Sequence, residues 1–296
     1  MLKSFVKVIF PAPWSSWCKR RIDWLLNYLL FPRHSFLQFT CNICSERTSY
    51  PRKSMMREVP SCVHCGSCVR FRSIIHTLSV ELFGESLAIK DFPERRDLIG
   101  IGMSDWDGYA NRLPEKLGYV NTFFHREPLL DIASLDSLTS ARYDFVIATE
   151  VFEHVSQPIS RAFENVHRLL KPGGVLIFSV PCVGRETREH FPELWRYTIG
   201  KENNSWVLVN ETRDGRQQRY DKLTFHDGPG TTIEMRLFGK DSLAKNFADA
   251  GFRQIRVHDE EVEAFGIVWN HYIAEEARYR PLIYGLDAPT WSARRD

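Results

Sequence analysis

Four cysteines in two closely spaced pairs carry the clearest chemical signal in this chain. Cys41 and Cys44 form one Cys-x-x-Cys pair, and Cys62 and Cys65 form another after 17 intervening residues. Each such turn can present two thiolates to one metal ion, and two turns complete a tetrahedron. We therefore predict a closed, structural zinc site with these four ligands. A fifth thiol, Cys68, either replaces Cys65 as a ligand or stays free.

Composition limits the classes of protein to which these cysteines can belong. The chain has 296 residues, of which 43% are hydrophobic and 26% charged, and its formal net charge is +2. A real core is therefore expected, and global disorder is excluded. The balanced charge gives no global reason to expect nucleic acid as a partner. Five of the seven cysteines crowd between Cys41 and Cys68, which indicates metal binding in a reducing, cytoplasmic compartment rather than a disulfide framework.

The first 35 residues are basic and rich in tryptophan, and they differ from the rest of the chain. Their apolar stretch, residues 22–31, is too short to span a bilayer. The Phe-Pro-Arg-His that follows it is not the cleavage site of a secretory signal. Two interpretations stay open for this arm: a helix docked on the body, or an interfacial helix in peripheral contact with anionic lipid.

Apolar periodicity predicts the elements that would position a site. Residues 69–83 carry a helical stripe, with Gly84 as its stop. Beyond them strands and helices alternate, which indicates a parallel sheet with helices on both faces. Strands are predicted at 98–102, 119–124, 143–149, 175–180, 252–258 and 265–269, and helices at 157–170 and 241–250. Residues 185–235 interrupt this rhythm, and we predict an insertion or lid there.

Two segments of this region resemble a known family. Residues 143–155, Tyr-Asp-Phe-Val-Ile-Ala-Thr-Glu-Val-Phe-Glu-His-Val, and residues 168–181, Arg-Leu-Leu-Lys-Pro-Gly-Gly-Val-Leu-Ile-Phe-Ser-Val-Pro, are similar to class I S-adenosylmethionine-dependent methyltransferases of the type 11 subgroup. The resemblance covers residues 97–182 well and residues 236–258 loosely. A Cys-x-x-Cys-Gly segment ahead of such a domain resembles a bacterial subfamily that carries a zinc ribbon.

The resemblance implies a doubly wound, Rossmann-like α/β methyltransferase sheet with an N-terminal zinc ribbon. We accordingly divide the chain into four parts. These are a basic aromatic arm (1–35), a zinc-ribbon module (36–75), a methyltransferase domain (76–184 and 236–275) and an insertion or lid over the active site (185–235).

The resemblance also implies S-adenosylmethionine as cofactor, bound at the carboxyl ends of the first strands. In the family's Asp-x-Gly-x-Gly-x-Gly loop, Gly102 matches the first glycine and Gly100 replaces the acid. Ser104 and Trp106 replace the later glycines. We predict that Gly100, Gly102 and Ser104 bind the cofactor, and a plain tight turn is the alternative for the two glycines.

Two carboxylates of the family pattern have no direct match. Asp105 or Asp107 is the candidate substitute for the acid of the glycine loop. After the second strand the family offers an acid to the ribose hydroxyls. Here only His125 or Glu127 lies nearby.

Other family positions are matched. Asp131 matches the acid near the adenine amine, with Ile132 beside it, and Glu150 follows the family's fourth strand. We predict that these three residues line the cofactor site. His154 is the first candidate for a catalytic base, and a structural histidine of the Glu-His motif is the alternative.

Further candidates lie in the insertion. His190 and His226 are weaker candidates for a base. Trp195, Tyr197 and Trp206 either stack on a sugar or ring of the acceptor or form a small core of the insertion.

We predict an enzyme that methylates a small-molecule or glycan acceptor. The alternative is a binding or scaffold protein that keeps the fold without the cofactor, as the altered glycine loop would allow. A third hypothesis, an RNA-modifying enzyme, draws on basic residues of the cysteine-rich region but conflicts with the near-neutral charge. Those residues are Arg47, Arg52, Lys53, Arg57, Arg70 and Arg72.

Overall fold

The computed structural model describes residues 16–135, 140–226, 232–270 and 289–296. In chain order the strands are β1 (Phe36–Thr40), β2 (Arg47–Pro51), β3 (Arg95–Met103), β4 (Leu117–Thr122), β5 (Tyr143–Thr149), β6 (Leu170–Ser179), β7 (Arg188–Glu189), β8 (Arg196–Glu202), β9 (Ser205–Glu211), β10 (Gln217–Tyr220), β11 (Phe225–His226), β12 (Thr232–Ile233), β13 (Arg236–Leu237), β14 (Phe252–His258) and β15 (Thr290–Arg295). The helices are α1 (Ser16–Leu30), α2 (Val69–Phe83), α3 (Asp107–Ala110), α4 (Ser160–Leu169) and α5 (Lys240–Asp249).

A six-stranded mixed sheet carries the fold, in the order β14-β15-β6-β5-β3-β4. Strands β3 to β6 run parallel to one another, and β15 runs antiparallel between β6 and β14. The chain passes from β3 to β4 on one side and then returns to β5 on the other side of β3. The strand order therefore reverses between β3 and β5. This arrangement confirms the predicted Rossmann-like α/β class.

Strand β5 is buried on both faces, as its nearly continuous apolar sequence predicts. Phe145 and Ile147 join a core shared with α2. Val146 and Ala148 point into a second core, shared with α4 and α5. Helices thus cover both faces of the sheet. Helix α2 has the predicted bounds, and Gly84 ends it in a left-handed conformation with a φ of +79°.

The last predicted strand, at residues 265–269, is wrong. A single 3-10 turn, Glu263–Phe265, begins this segment, and the strand that completes the sheet is β15. Ile267 is nonetheless buried, so the apolar run that suggested a strand packs into the core as a turn. Gly266 has a φ of +66° there, and a Cβ at this position would lie 2.6 Å from the ring of Phe39 in β1.

A cysteine-rich module, residues 36–68, packs on the same face of the sheet as α2. Its strands β1 and β2 form an antiparallel hairpin. The fully buried Arg72 of α2 donates hydrogen bonds to the carbonyl oxygens of Ser67 and Gly266, each 2.8 Å long. One core includes the module and this face of the sheet. The predicted boundary at residue 75 falls inside α2.

The predicted N-terminal arm is described from residue 16 onward, where it forms α1 against the module. The Nε1 atom of Trp24 donates a 2.8 Å hydrogen bond to the carbonyl oxygen of Ser49 in β2. Tyr28 stacks on Trp24 and meets Phe36 edge-on. Three leucines of α1 are exposed, namely Leu25, Leu29 and Leu30. Among the described residues, no helix is long and apolar enough to cross a membrane.

The predicted insertion builds a small sheet of its own. Strands β8, β9 and β10 are antiparallel, with β9 in the middle, and β7 pairs with β13 at the base. Phe191, Leu208, Ile233 and Met235 form its buried core. Residues 227–231, and residues 271–275 of the predicted methyltransferase domain, lie outside the described residues.

A buried carboxylate joins α2 to the last strand of the sheet. Glu81 of α2 accepts a 2.8 Å hydrogen bond from the Ser292 hydroxyl and a 2.7 Å one from Arg294, both in β15. His258 of β14 lies 3.6 Å away and Arg256 lies 3.5 Å away. Burial alone would raise the pKa of Glu81, but these partners outweigh it and lower the pKa to about 2.

We predict that Glu81→Gln lowers the free energy of unfolding at pH 7 by about 2 kcal/mol, because it removes charge-assisted bonds from a buried site. The depressed pKa means that the ionised carboxylate stabilises the fold above its usual value of 4.5. This contribution is lost as the pH falls from 4.5 towards 2. Urea unfolding measured across that range should show the difference between wild type and variant shrinking. The exposed Glu85→Gln is the control, and a difference independent of pH would contradict the prediction.

Candidate functional site

A cavity of about 1,150 Å³ lies at the carboxyl ends of β3 and β5, where the strand order reverses. Ligands of open α/β sheets bind at such reversals. The ends of β3 to β5, the segment after β4, the insertion and the cysteine-rich module all contribute to its lining. The volume exceeds the roughly 300–1,000 Å³ of a typical small-molecule site. There is therefore room for two ligands side by side.

Two residues with left-handed backbone stand at the neighbouring strand ends. Ser104 after β3 has a φ of 57°, and Glu150 after β5 has a φ of 56°. Both residues line the cavity. Such conformations cost about 1–3 kcal/mol in residues other than glycine and cluster at functional sites. Backbone hydrogen bonds hold them here, from Ser104 to Thr122 and from Glu150 to Ser179.

The two glycines of the loop are absent from the residues that line the cavity. A Cβ at position 100 would lie 2.2 Å from the ring of Phe145. A Cβ at position 102 would lie 2.0 Å from the carboxylate of Asp105. Packing beneath β3 therefore requires Gly100 and Gly102. Their direct contact with a cofactor stays a prediction.

The candidate substitutes for the missing acid also do not line the cavity. Asp105 is buried, and its carboxylate accepts hydrogen bonds of 2.6 Å from the Tyr119 hydroxyl and 2.8 Å from the Tyr109 hydroxyl. Burial raises the pKa of Asp105 to about 7, against the effect of the two hydroxyl donors. Asp105 thus stabilises the loop through its hydrogen bonds to the two tyrosines. Asp107 is the first residue of α3.

The end of β4 presents aromatic side chains where the family offers an acid. Phe123, Phe124 and His125 line the cavity there. Glu127 does not line it, and its carboxylate accepts a hydrogen bond from the backbone of Leu129.

Asp131 and Ile132 both line the cavity, next to Leu130 and Ala133. The Oδ1 atom of Asp131 accepts a 2.9 Å hydrogen bond from the Ala133 backbone, which fixes the carboxylate at the wall. Ile132 is buried in the core on the α4 side of the sheet. A carboxylate beside apolar side chains suits the amino group and flat faces of an adenine ring.

Glu150 is held by an arginine that comes from the cysteine-rich module. The Oε1 atom of Glu150 lies 2.7 Å from Nη2 of Arg57 and accepts a 3.0 Å hydrogen bond from the Ser179 hydroxyl. Arg57 also pairs with Glu58, which in turn pairs with Arg70. Burial alone would raise the pKa of Glu150, but Arg57 and Arg70 outweigh it and lower the pKa to about 2.

His154 lies where the insertion meets the strand ends. Its Nδ1 atom donates a 2.8 Å hydrogen bond to the carbonyl oxygen of Ile233, and its ring meets that of His226 edge-on at 4.5 Å. Burial lowers the pKa of His154, so the imidazole is neutral at pH 7. His190 and His226 both bind the carboxylate of Glu234, at 2.8 and 3.1 Å. The structure thus brings His154 and His226 together at the cavity, whereas His190 does not line it.

The aromatic candidates of the insertion have different surroundings. Tyr197 lines the cavity. Trp206 packs against Phe225 at 5.7 Å, and Trp195 lies on the surface below the guanidinium of Arg213.

Sequence reasoning missed the contribution of the cysteine-rich module to this cavity. Arg57 of the module lines it, as do Arg70 and Phe71 at the start of α2. Phe71 stacks face to face on Trp106 at 4.4 Å, with an interplanar angle of 3°. From the sequence, Trp106 is recognisable only as a replacement for one of the glycines in the family's loop. A large aromatic ring in such a loop is the signal that a packing partner must come from elsewhere.

The four predicted metal ligands converge in the module. The Sγ atoms of Cys41 and Cys65 are 3.7 Å apart, as are those of Cys44 and Cys62. All four lie within 4.8 Å of one another. Thiolates about 2.3 Å from a tetrahedral zinc ion are about 3.8 Å apart, whereas a disulfide needs about 2.05 Å. Cys68 is buried outside this group, and burial raises its pKa to about 11.

A family model described as a methyltransferase domain matches residues 93–257, which is more than half of the chain. The fold and the cavity at its strand reversal agree with this match, because open α/β sheets bind ligands at such reversals. The chain belongs to this methyltransferase family. No curated protein matches the chain significantly.

Solved structures similar to this chain include several methyltransferases. The chain is 15% identical to the CurJ carbon methyltransferase over 77% of its length and 55% of the CurJ chain, with a TM-score of 0.42. It thus spans about half of that protein. For the 1,6-didemethyltoxoflavin-N1-methyltransferase of Burkholderia thailandensis the identity is 12%, over 75% of this chain and 78% of the other, with a TM-score of 0.39. CalS10, an amino pentose methyltransferase of Micromonospora echinaspora, is 11% identical over 78% of this chain and 93% of its own, with a TM-score of 0.38. The acceptor that each name states is a property of that protein.

We predict that Arg57→Met and Glu150→Gln each lower the free energy of unfolding by about 2–3 kcal/mol, since each leaves a largely buried charge without its main partner. The double variant should lose less than the sum, with a coupling energy above about 1 kcal/mol, measured by urea unfolding in a double-mutant cycle. The exposed pair Arg52–Glu261 serves as the matched control. Its Arg52→Met and Glu261→Gln cycle should couple by less than about 1 kcal/mol. Equal coupling in the two cycles would refute the role given to Arg57.

Proposed function

We propose that this protein transfers a methyl group from S-adenosylmethionine to a small-molecule or glycan acceptor. The observation that carries the proposal is the cavity at the strand reversal, which is large enough for a cofactor and an acceptor together. The motifs at residues 143–155 and 168–181 support assignment to class I and, within it, to the type 11 subgroup.

The residues of the cavity fit the cofactor in chemical terms. Asp131 and Ile132 suit the adenine ring, and the aromatic end of β4 offers flat faces where the family has a ribose acid. At the strand ends the cavity is lined by the Glu150–Arg57 ion pair, whose two charges are already paired with each other. We assign the cofactor to the side of the cavity formed by β3, β4 and β5, and the acceptor to the side formed by the insertion.

The sulfonium of the bound cofactor supplies a methyl group that is already attached to a good leaving group. The contribution of the chain is therefore mainly to position the acceptor in line with the methyl carbon and to exclude water. Tyr197 and Phe225 of the insertion line the acceptor side. If the acceptor must lose a proton, His154 and His226 are the imidazoles of that wall that can accept it.

The internal pairing of the module's arginines favours this proposal over an RNA-modifying enzyme. Arg72 is fully buried, and Arg57 and Arg70 pair with Glu150 and Glu58. Arg57 and Arg70 are therefore neutralised within the chain and Arg72 is inaccessible, whereas binding to phosphate needs accessible cations. Contact of α1 with anionic lipid is a separate proposal, supported by the exposed leucines of that helix.

We further propose that Cys41, Cys44, Cys62 and Cys65 bind one structural zinc ion in this module. The spacing of their sulfur atoms supports it. Such an ion would fix the loops that precede α2. It would thereby hold Arg57 and Phe71 at the cavity.

Calorimetric titration of S-adenosylmethionine into the zinc-replete protein tests the function. We expect micromolar binding that Asp131→Ala weakens at least about 10-fold, because the variant removes a charged hydrogen-bond acceptor from the adenine side. The exposed Asp259→Ala should bind as the wild type does. If the wild type fails to bind at millimolar cofactor, the scaffold alternative holds instead.

The zinc proposal predicts different outcomes for two neighbouring cysteines. Cys44→Ser should lose the ion and lower the thermal unfolding midpoint, because Cys44 belongs to the cluster of four sulfur atoms. Cys68→Ser should keep one zinc per chain, because Cys68 lies outside that cluster. Metal content by mass spectrometry and thermal unfolding, each with and without chelator, provide the measurement. Loss of zinc from Cys68→Ser would show that the ligand set is wrong.

A further inference from the structure

Three potential metal ligands converge in the wall of the cavity. Glu153 and His154 belong to the 3-10 turn Phe152–His154 that follows β5, and His226 ends β11. The Oε1 atom of Glu153 lies 3.6 Å from Nε2 of His154 and 4.0 Å from Nδ1 of His226. Ligand atoms about 2.1 Å from a tetrahedral ion are about 3.4 Å apart. All three ligand atoms lie within 4.8 Å of one another, so side-chain shifts of about 1 Å or less would complete the site.

The hydrogen bonds of the two imidazoles point their lone pairs at Glu153. The Nδ1 atom of His154 faces the Ile233 carbonyl, which can only accept, so Nδ1 carries the proton and Nε2 does not. The Nε2 atom of His226 lies 3.1 Å from the carboxylate of Glu234, which in the neutral imidazole places the proton on Nε2 and leaves Nδ1 as an acceptor. A carbonyl and a carboxylate in these positions are the usual outer partners of metal-binding histidines.

The position of the Glu153 carboxylate cannot be explained by hydrogen bonding within the cluster. Its side chain is 0% exposed, and neither of its oxygens has a hydrogen-bond partner among the described residues. Its Oε1 atom instead faces Nε2 of His154 at 3.6 Å and Nδ1 of His226 at 4.0 Å. A buried carboxylate in this situation is costly unless a proton or a cation neutralises it.

The turn that carries two of the ligands is rigidly held. Met235 donates a 2.7 Å backbone hydrogen bond to the carbonyl oxygen of Glu153. Arg236 donates to the carbonyl oxygens of Phe152 and Val155, at 2.7 and 2.6 Å. Such support keeps ligands in place before an ion binds.

A second group in the chain provides a contrast. His76, His258 and Glu260 also lie within metal-binding reach of one another. The ring nitrogens of His76 meet Ser86 at 2.6 Å and Glu260 at 3.1 Å, and His258 meets Ser292 at 2.9 Å. Ordinary hydrogen bonds therefore already satisfy that group.

We propose that Glu153, His154 and His226 bind one divalent transition-metal ion with open positions towards the cavity. Two imidazoles and a carboxylate suit Zn²⁺, Mn²⁺, Fe²⁺ or Co²⁺ better than Mg²⁺ or Ca²⁺. His154 and His226 both line the cavity, so a ligand there can reach the ion.

The chemical role of this ion rests on the proposed function, although its binding does not. An acceptor hydroxyl at the ion would lose its proton to water more readily. The oxygen then forms its bond to the methyl carbon as the carbon–sulfur bond breaks. The sulfur keeps the electron pair of that bond and leaves as a neutral thioether. The acceptor class is therefore an alcohol or phenol of a small molecule or sugar.

Titration of Co²⁺ into the full chain, with zinc already in the cysteine site, tests the binding. We expect one Co²⁺ per chain, with visible d–d absorption but no charge transfer from thiolate. Glu153→Gln and His226→Gln should each weaken this binding at least about 10-fold, and Glu234→Gln should weaken it by about 10-fold through His226. The matched control His76→Gln should bind Co²⁺ as the wild type does. Thermal unfolding identifies any variant that fails to fold. The Co²⁺ affinities of the remaining folded variants then decide whether the proposed ligands bind the ion.

Two results would overturn the inference. One is the absence of a second ion in the wild type, and the other is an ion that persists in Glu153→Gln but is lost in His76→Gln. S-adenosylmethionine titrated into the same samples separates this inference from the proposed function. Cofactor binding without the second ion rejects the metal site alone, whereas the second ion without cofactor binding rejects the methyltransferase proposal alone.

Discussion

Partial burial of the Glu150 carboxylate at the end of β5, with 19% of the side chain exposed, is the constraint on which the rest of the site depends. A charge that is largely removed from water needs a partner of opposite sign, and the hydroxyl that Ser179 supplies from the sheet carries no charge. Arg57 provides the cation from the cysteine-rich module. The lining of the cavity is therefore complete only when the module is packed on the sheet. The integrity of the proposed active site thus depends on the proposed zinc site.

This dependence explains why the loop after β3 departs from the family pattern. Trp106 stands where the family has a glycine, and its ring stacks on Phe71, next to the module. Gly100 stands where the family has an acid, because any side chain there would meet the ring of Phe145. The altered loop is thus matched to its neighbours. It need not be read as the decay of a binding site.

The sequence predicts the parts of the molecule that follow from local rules. The continuous apolar run of β5, the stripe of α2 and the stop at Gly84 each leave a periodic or conformational signal, and the two Cys-x-x-Cys turns are set by short spacing. Contacts between distant segments leave none. Nothing local marks β15 as the strand between β6 and β14, or Arg57 as the partner of Glu150, because both depend on which surfaces meet after folding. The error at residues 265–269 has the same origin, since buried turns and buried strands share apolar composition.

The insertion behaves as a fixed wall rather than as a hinged cover. Two hydrogen bonds join it to the turn after β5, from Met235 to Glu153 and from His154 to Ile233, and Arg236, which directly follows the insertion, donates to Phe152 and Val155. Opening the wall would leave these buried groups without partners, at a cost of about 1–3 kcal/mol each. Under the proposed function, an acceptor would then enter beside the insertion instead of beneath it. Tyr197, Phe225 and the two imidazoles line the cavity on that side and would be positioned before it binds. Selection of an acceptor would then depend on the shape and chemistry of a preformed surface, as positioning in methyl transfer requires.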